Sequence, residues 1–246
     1  HQMSRDLMSE QTYELEQVVQ PGPVELRIPR FQGQRDRATS RWMLIGRSGT
    51  EGWRALSPAM YPDTTTAARD LPRSSPRGVK GLGGIPPGPP LPEILELGIH
   101  HATVNIVLNT LVSEQQKPGW IPWEFEGKTW FLNPGYLNRL DETITGYSRE
   151  GIVLSAILLV SNGRNAQGEA GNRMIHPEAE ERGTFAMPDL ATPAGARFYR
   201  TSIHLLTERY TRLDGEFGRL SNWIIHNEID QSGTWTNMGE QPLSRY

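Results

Sequence analysis

The chain has 246 residues, 36% of them hydrophobic, with 25 Lys and Arg against 28 Asp and Glu, a net charge of -3 and no cysteine. That length allows one large domain, or a medium one with a small appendage, while the balanced charge offers no basic stripe to neutralise phosphates and excludes nucleic acid as an expected partner. Thiol catalysis, disulfides and thiolate metal sites are excluded, and the longest apolar run, Ile152 to Val160, is too short to span a bilayer, so no membrane anchor is expected.

Residues 1–46 read as the end of a small β-module: Val24, Leu26 and Ile28 alternate as a half-buried strand would, and Trp42 to Ile45 forms a second apolar run. Residues 47–78 read as a Pro/Gly-rich linker, because closely spaced prolines remove donors and fix φ. From residue 79 helix and strand alternate. A short strand is predicted around Val79 to Ile85, then a helix over Leu91 to Leu97 closed by Gly98. Ala102 to Leu111 is a nearly continuous apolar run suited to a strand covered on both faces.

Asn133 and Pro134 open a helix to Glu150, with Leu137, Leu140, Ile144 and Tyr147 on one face and Gly151 beyond its end. Ile152 to Val160 is the strongest strand signal. A polar loop leads to Thr192 and Pro193, which open a helix whose Tyr199, Ile203, Leu206 and Tyr210 share a face. Leu220 to Ile229, within RLSNWIIHNEID, is the last predicted strand. Such alternation predicts parallel βαβ units, an α/β fold.

In a parallel barrel, reactive groups sit at the carboxyl ends of strands, where loops open the packed core to substrate. The predicted strand ends offer Asn105 and Asn109, then Ser161 and Asn162, then His226, Asn227, Glu228 and Asp230. Glu228 directly follows Trp223, Ile224 and Ile225, where partial burial favours a neutral, proton-donating carboxyl. One such group serves as acid and then as base in retaining glycoside hydrolysis, and Asn227 beside it suits a sugar hydroxyl. The bland alternative is a glutamate that caps the next segment or pairs with an arginine.

Trp120, Trp123 and Trp130, in the insertion GWIPWEFEGKTWF, either stack on sugar rings or pin a hairpin to the rim. His100 and His101 precede their strand and read as structural. No HExxH spacing exists, so neither metal nor cofactor is expected. Arg164, Asn165, Asn172, Arg173 and His176 read as hydroxyl-binding groups or as a solvated loop. Among loop carboxylates, Glu124, Glu126, Glu169 and Glu178 are the candidates for a partner to Glu228 in an inverting arrangement.

The SNWIIHNEID stretch resembles the fourth strand of clan A glycoside hydrolases, whose Asn-Glu pair supplies the 2-hydroxyl contact and the acid/base. KGL near Lys80, LGIHHATVNIVLN, GIVLSAILLVSN, and NEID followed by Trp235, Asn237, Met238 and Gly239 are similar to a bacterial domain-of-unknown-function family read as barrel glycosidases; the likeness spans about residues 24–246. The resemblance implies a (β/α)8 TIM barrel with a retaining mechanism, with Trp235 also at the substrate site. The clan's nucleophile belongs to the seventh strand, whereas four strands are counted here. Residues 79–246 therefore read as the N-terminal half of a barrel, with EQPLSRY opening a fourth helix. A missing C-terminal half or a second polypeptide would complete it.

The expected activity is retaining hydrolysis of a poly- or oligosaccharide, with Glu228 as acid/base and the nucleophile outside this chain. Alternatives are a non-catalytic carbohydrate-binding or scaffold protein and a half-barrel that pairs with itself. A secreted or periplasmic location is the expectation; the chain opens on His1 with no visible leader, which reads as the loss of an upstream segment.

Overall fold

The computed structural model describes residues 18, 22–23, 25–33, 35–47, 53–62, 74–162, 173–229 and 231–241. Contacts divide the chain into two units, residues 1–70 and 71–246.

The first unit contains two antiparallel pairs: β1 (Phe31–Gln32) with β2 (Arg35–Asp36), and β3 (Ile45–Arg47) with β4 (Trp53–Ala55). Trp42 and Met60 extend the second pair by an isolated bridge. The stretch read as linker thus contributes β4. The strand expected over Val24, Leu26 and Ile28 is not formed at Leu26 and Ile28, and Val24 lies outside the described residues. Pro23 and Pro29 flank the segment and lack the N–H donors that a ladder needs.

The second unit is mixed α/β. Its four-stranded parallel sheet runs in chain order: β5 (Gly81–Leu82), β6 (His101–Val107), β10 (Val153–Leu159) and β11 (Asn222–Ile225). Helices α1 (Pro92–Glu96), α2 (Pro134–Arg149) and α3 (Pro193–Tyr210) occupy the successive crossovers. Both long helices start as their sequences predict. Asn133 accepts a hydrogen bond from the Tyr136 amide at 3.2 Å and Thr192 one from the Gly195 amide at 3.1 Å, each followed by proline at the first helical position. Gly151, at φ 72°, supplies the left-handed residue that ends α2.

Register assigns the two faces of the sheet. Ala102, Val104 and Ile106 align with Leu154, Ala156 and Leu158 and are 0–3% exposed in the core with α2 and α3. The opposite face carries Thr103 and Asn105 beside Ser155 and Ile157, then Asn222 and Ile224 on β11. The core face of α3 is rotated from its predicted stripe: Phe198, Thr201, Ser202 and Leu205 are buried, while Tyr199 and Ile203 are half-buried. Apolar periodicity misses Thr201 and Ser202, whose hydroxyls return bonds to the Arg197 and Phe198 carbonyls and so enter the core with their polar atoms paired.

β6 and β11 both end well before their apolar runs do. After Val107 the chain turns into a 3-10 segment, Leu108–Thr110, that re-emerges as β7 (Val112–Ser113). After Ile225, His226 takes φ 64° and leaves the ladder, so residues 226–229 belong to a loop. The tryptophan-rich insertion is the hairpin β8 (Ile121–Phe125) and β9 (Lys128–Leu132), turned at Glu126 and Gly127 with φ 51° and 70° and joined to β7 through β9. No helix among the described residues is long and apolar enough to cross a membrane.

Candidate functional site

The loop that leaves β11 directs three consecutive side chains to three surroundings. His226 turns back toward α3, where its Nε2 lies 3.1 Å from the Tyr199 hydroxyl. Burial lowers the imidazole pKa, partly countered by a bond to the Leu158 carbonyl, and burial pushes the Tyr199 phenol up to about 12. At neutral pH the imidazole is therefore neutral and the phenol protonated. The phenol and the imidazole Nε2 are thus paired as two neutral groups.

Asn227 lines a small cavity at the ends of β10 and β11. Glu228, at φ 41°, is exposed, and its Oε2 accepts the Trp235 indole N–H at 3.0 Å. The partial burial expected for Glu228 is absent because the apolar run before it is itself open: Ile224 is 37% and Ile225 58% exposed on a strand with one described neighbour.

Trp235 belongs to a π-turn, Ser232–Thr236, and its ring stacks on Phe185 with centroids 5.0 Å apart and planes 7° apart. The segment after it is clamped to residues 180–187. Met187 N–H donates to the Thr236 carbonyl and Glu180 N–H to the Asn237 carbonyl, both at 2.7 Å, and the Asn237 amide bonds the Glu180 carbonyl. Asn237 itself holds φ 55°. Three of the four described non-glycine residues with left-handed φ, His226, Glu228 and Asn237, thus gather here; the fourth is in the hairpin turn. Such conformations persist where surroundings over-determine them, and both they and π-turns concentrate at functional sites.

The remaining candidates divide by what their side chains already do. Asn105 is exposed on the sheet face away from the helices. Asn109 is 2% exposed and spans β6 to β10 as a ladder rung would, donating to the Ser161 carbonyl at 2.8 Å and accepting from its amide at 3.0 Å. Asn162, 6% exposed, donates to the carbonyls of Glu180 and Arg182 at 3.0 and 2.9 Å and so folds the loop that carries Phe185. Both amides are held by backbone groups and, buried, act as backbone cross-links.

Trp130 is a core residue. It is 1% exposed, edge-on to Phe198 at 5.4 Å, with no ring face left for a sugar. Trp123 stacks on Phe125 and faces His204 of α3, and Trp120 lies under the Lys117 ammonium at 4.5 Å. The hairpin therefore pins itself to α3, helped by the Arg200–Glu126 ion pair. Glu124 is engaged by Thr129 within the hairpin. Arg173 pairs with Glu114, and His176 accepts the Glu178 amide. Arg164, Asn165, Glu169, Asn172 and Asp230 lie outside the described residues. Among the described residues no three His, Asp or Glu side chains gather as a metal-ligand set.

Sequence reading missed Tyr199, Phe185 and Thr236 as parts of this cluster. Tyr199 was legible only as a helix-face aromatic, and no local pattern marks the other two.

Residues 72–246 match a family described as a family of unknown function, DUF5722. The chain belongs to DUF5722. Comparison with curated proteins and with solved structures gives no match. The DUF5722 region contains the whole parallel sheet, the hairpin and the Glu228 cluster, whereas both strand pairs of the first unit precede it.

Proposed function

We propose that the DUF5722 region is the first half of a (β/α)8 barrel and carries the acid/base of a retaining glycoside hydrolase, with the nucleophile on sequence outside these residues. The observation behind this reading is Glu228: an exposed carboxylate at the carboxyl end of the fourth of four sequential parallel strands, oriented by the Trp235 indole and preceded by Asn227. The helix-covered face and the opposite face carrying Asn105, Ser155 and Asn222 correspond, in this reading, to barrel exterior and lumen.

In the first step Glu228 gives its proton to the glycosidic oxygen as a carboxylate of a later strand attacks the anomeric carbon; in the second it takes a proton from the incoming water. The indole occupies Oε2, which leaves Oε1 to face the leaving oxygen. Substrate and the later strands supply the burial that a proton-donating carboxyl requires. Asn227 hydrogen-bonds a sugar hydroxyl beside the reacting carbon. A neutral poly- or oligosaccharide in a secreted or periplasmic setting is the substrate class this arrangement suits.

The test compares the protein with its E228Q variant on aryl glycosides of graded leaving-group ability. Loss of general acid catalysis lowers turnover of poor leaving groups by about 100- to 10,000-fold and spares activated ones. Equal turnover of poor leaving groups by both proteins refutes the assignment.

A further inference from the structure

Among the described residues the Glu228 carboxyl has one hydrogen-bond partner, the Trp235 indole. An indole N–H donates and never accepts, so it fixes the carboxyl only as firmly as its own ring is fixed. Backbone alone does not fix that ring: Trp235 lies on the π-turn, outside the sheet, and its side chain has one ring contact among the described residues, the Phe185 phenyl.

Phe185, by contrast, is tied to the sheet. It bridges Ser161, while the Asn162 N–H donates to the Thr184 carbonyl at 3.0 Å and the Ala186 N–H to the Val160 carbonyl at 2.9 Å. Residues 184–186 thus run antiparallel to the chain leaving β10, the strand beside β11. The Phe185 and Trp235 rings lie 7° from parallel. A stacked aromatic neighbour prefers one plane for its partner, whereas an aliphatic one fills the volume and prefers none.

We infer that Phe185 is a positioning residue for the acid/base: its ring sets the plane of Trp235, and the indole N–H then holds the Glu228 carboxyl toward the leaving oxygen. This role rests on the acid/base reading of Glu228. It makes the loop after β10 the reference frame for a carboxyl that follows β11, to the tolerance of about 0.5 Å that a catalytic group demands.

The test reads one ratio, turnover of an activated aryl glycoside over that of a poor one, in the full-length protein and in F185L, F185Y, W235F, F185L/W235F and E228Q. Both substrates are run on the same preparation, so the fraction of folded enzyme cancels. F185L is expected to raise the ratio about threefold to tenfold, the size of one aromatic stack. F185Y returns it to the parent value, and F185L adds nothing in the W235F background. An unchanged ratio in F185L, an F185Y ratio as high as that of F185L, or a further rise in the double variant overturns the positioning role. F185I, whose branched side chain suits the extended backbone at this bridge, carries the same comparison if F185L does not fold. A ratio that E228Q itself leaves at the parent value overturns the acid/base reading, and the role of Phe185 with it; a ratio raised by E228Q but not by F185L overturns the role of Phe185 alone.

Discussion

His226, Asn227 and Glu228 are adjacent in sequence yet meet a helix, a cavity and solvent, because two of the three hold left-handed backbone. Ordinary extended backbone would have carried the strand onward. The conformation is secured from both sides, by Tyr199 on α3 and by the Glu228 carbonyl, which accepts the Gln231 amide at 2.8 Å. Y199F leaves a buried imidazole nitrogen unpaired and is expected to lower stability by about 1–2 kcal/mol in urea titration. The sign of the pH effect follows from burial. The folded imidazole has its pKa below the ordinary histidine value of about 6.5, so the unfolded chain binds the proton first as pH falls. The stability from neutral His226 is complete above about 6.5 and declines as pH drops toward the folded value; H226Q should flatten that slope in melts run across this window. At Trp235, W235F removes the donor that orients Glu228. It should reduce turnover of poor leaving groups about tenfold while leaving activated substrates near the parent rate.

At the scale of elements, α2 and α3 are joined by more than apolar packing. Arg209 reaches Asp141 with two hydrogen bonds of 2.7 and 2.5 Å, and the Tyr210 hydroxyl adds a third at 3.0 Å. Arg209 also lies 3.5 Å over the Phe217 ring, anchoring the turn before β11. D141A is expected to destabilise by about 2–3 kcal/mol, read from the denaturation midpoint, because it strands the guanidinium and the phenol together. These elements also show how far sequence patterns reach. Caps and apolar stripes announced α2, whose Leu137, Leu140, Ile144 and Tyr147 all enter the core, and the four parallel strands stood where apolar runs placed them. What stayed hidden depended on tertiary pairing. Asn109 and Asn162 read as ligand groups because nothing local reveals that their amides satisfy distant backbone. Trp130 stayed open between platform and pin because only the fold brings Phe198 against it. The early end of β11 escaped because the residue that leaves the ladder, His226, is neither Gly nor Pro.

For the whole molecule, β11 is the outermost strand of the sheet, with Ile224 open on one face and Ile225 on the other. An apolar edge strand open on both sides is an aggregation hazard unless it is covered. In the barrel reading a fifth parallel strand pairs with it, and a further helix covers Ile225. Hydrogen exchange on protein that carries the later strands should then show the outward amides of β11 protected to the level of β10; rapid exchange there would count against closure.

The central claim, that Glu228 is the acid/base of a retaining enzyme, is tested most directly by azide rescue of an E228A variant on an activated aryl glycoside. With the acid/base removed and the nucleophile intact, azide attacks the glycosyl-enzyme from the vacated face. Faster turnover and a glycosyl azide with the substrate's own anomeric configuration, read by proton NMR, are expected. An azide product of inverted configuration, or a rate that azide leaves unchanged, would contradict it.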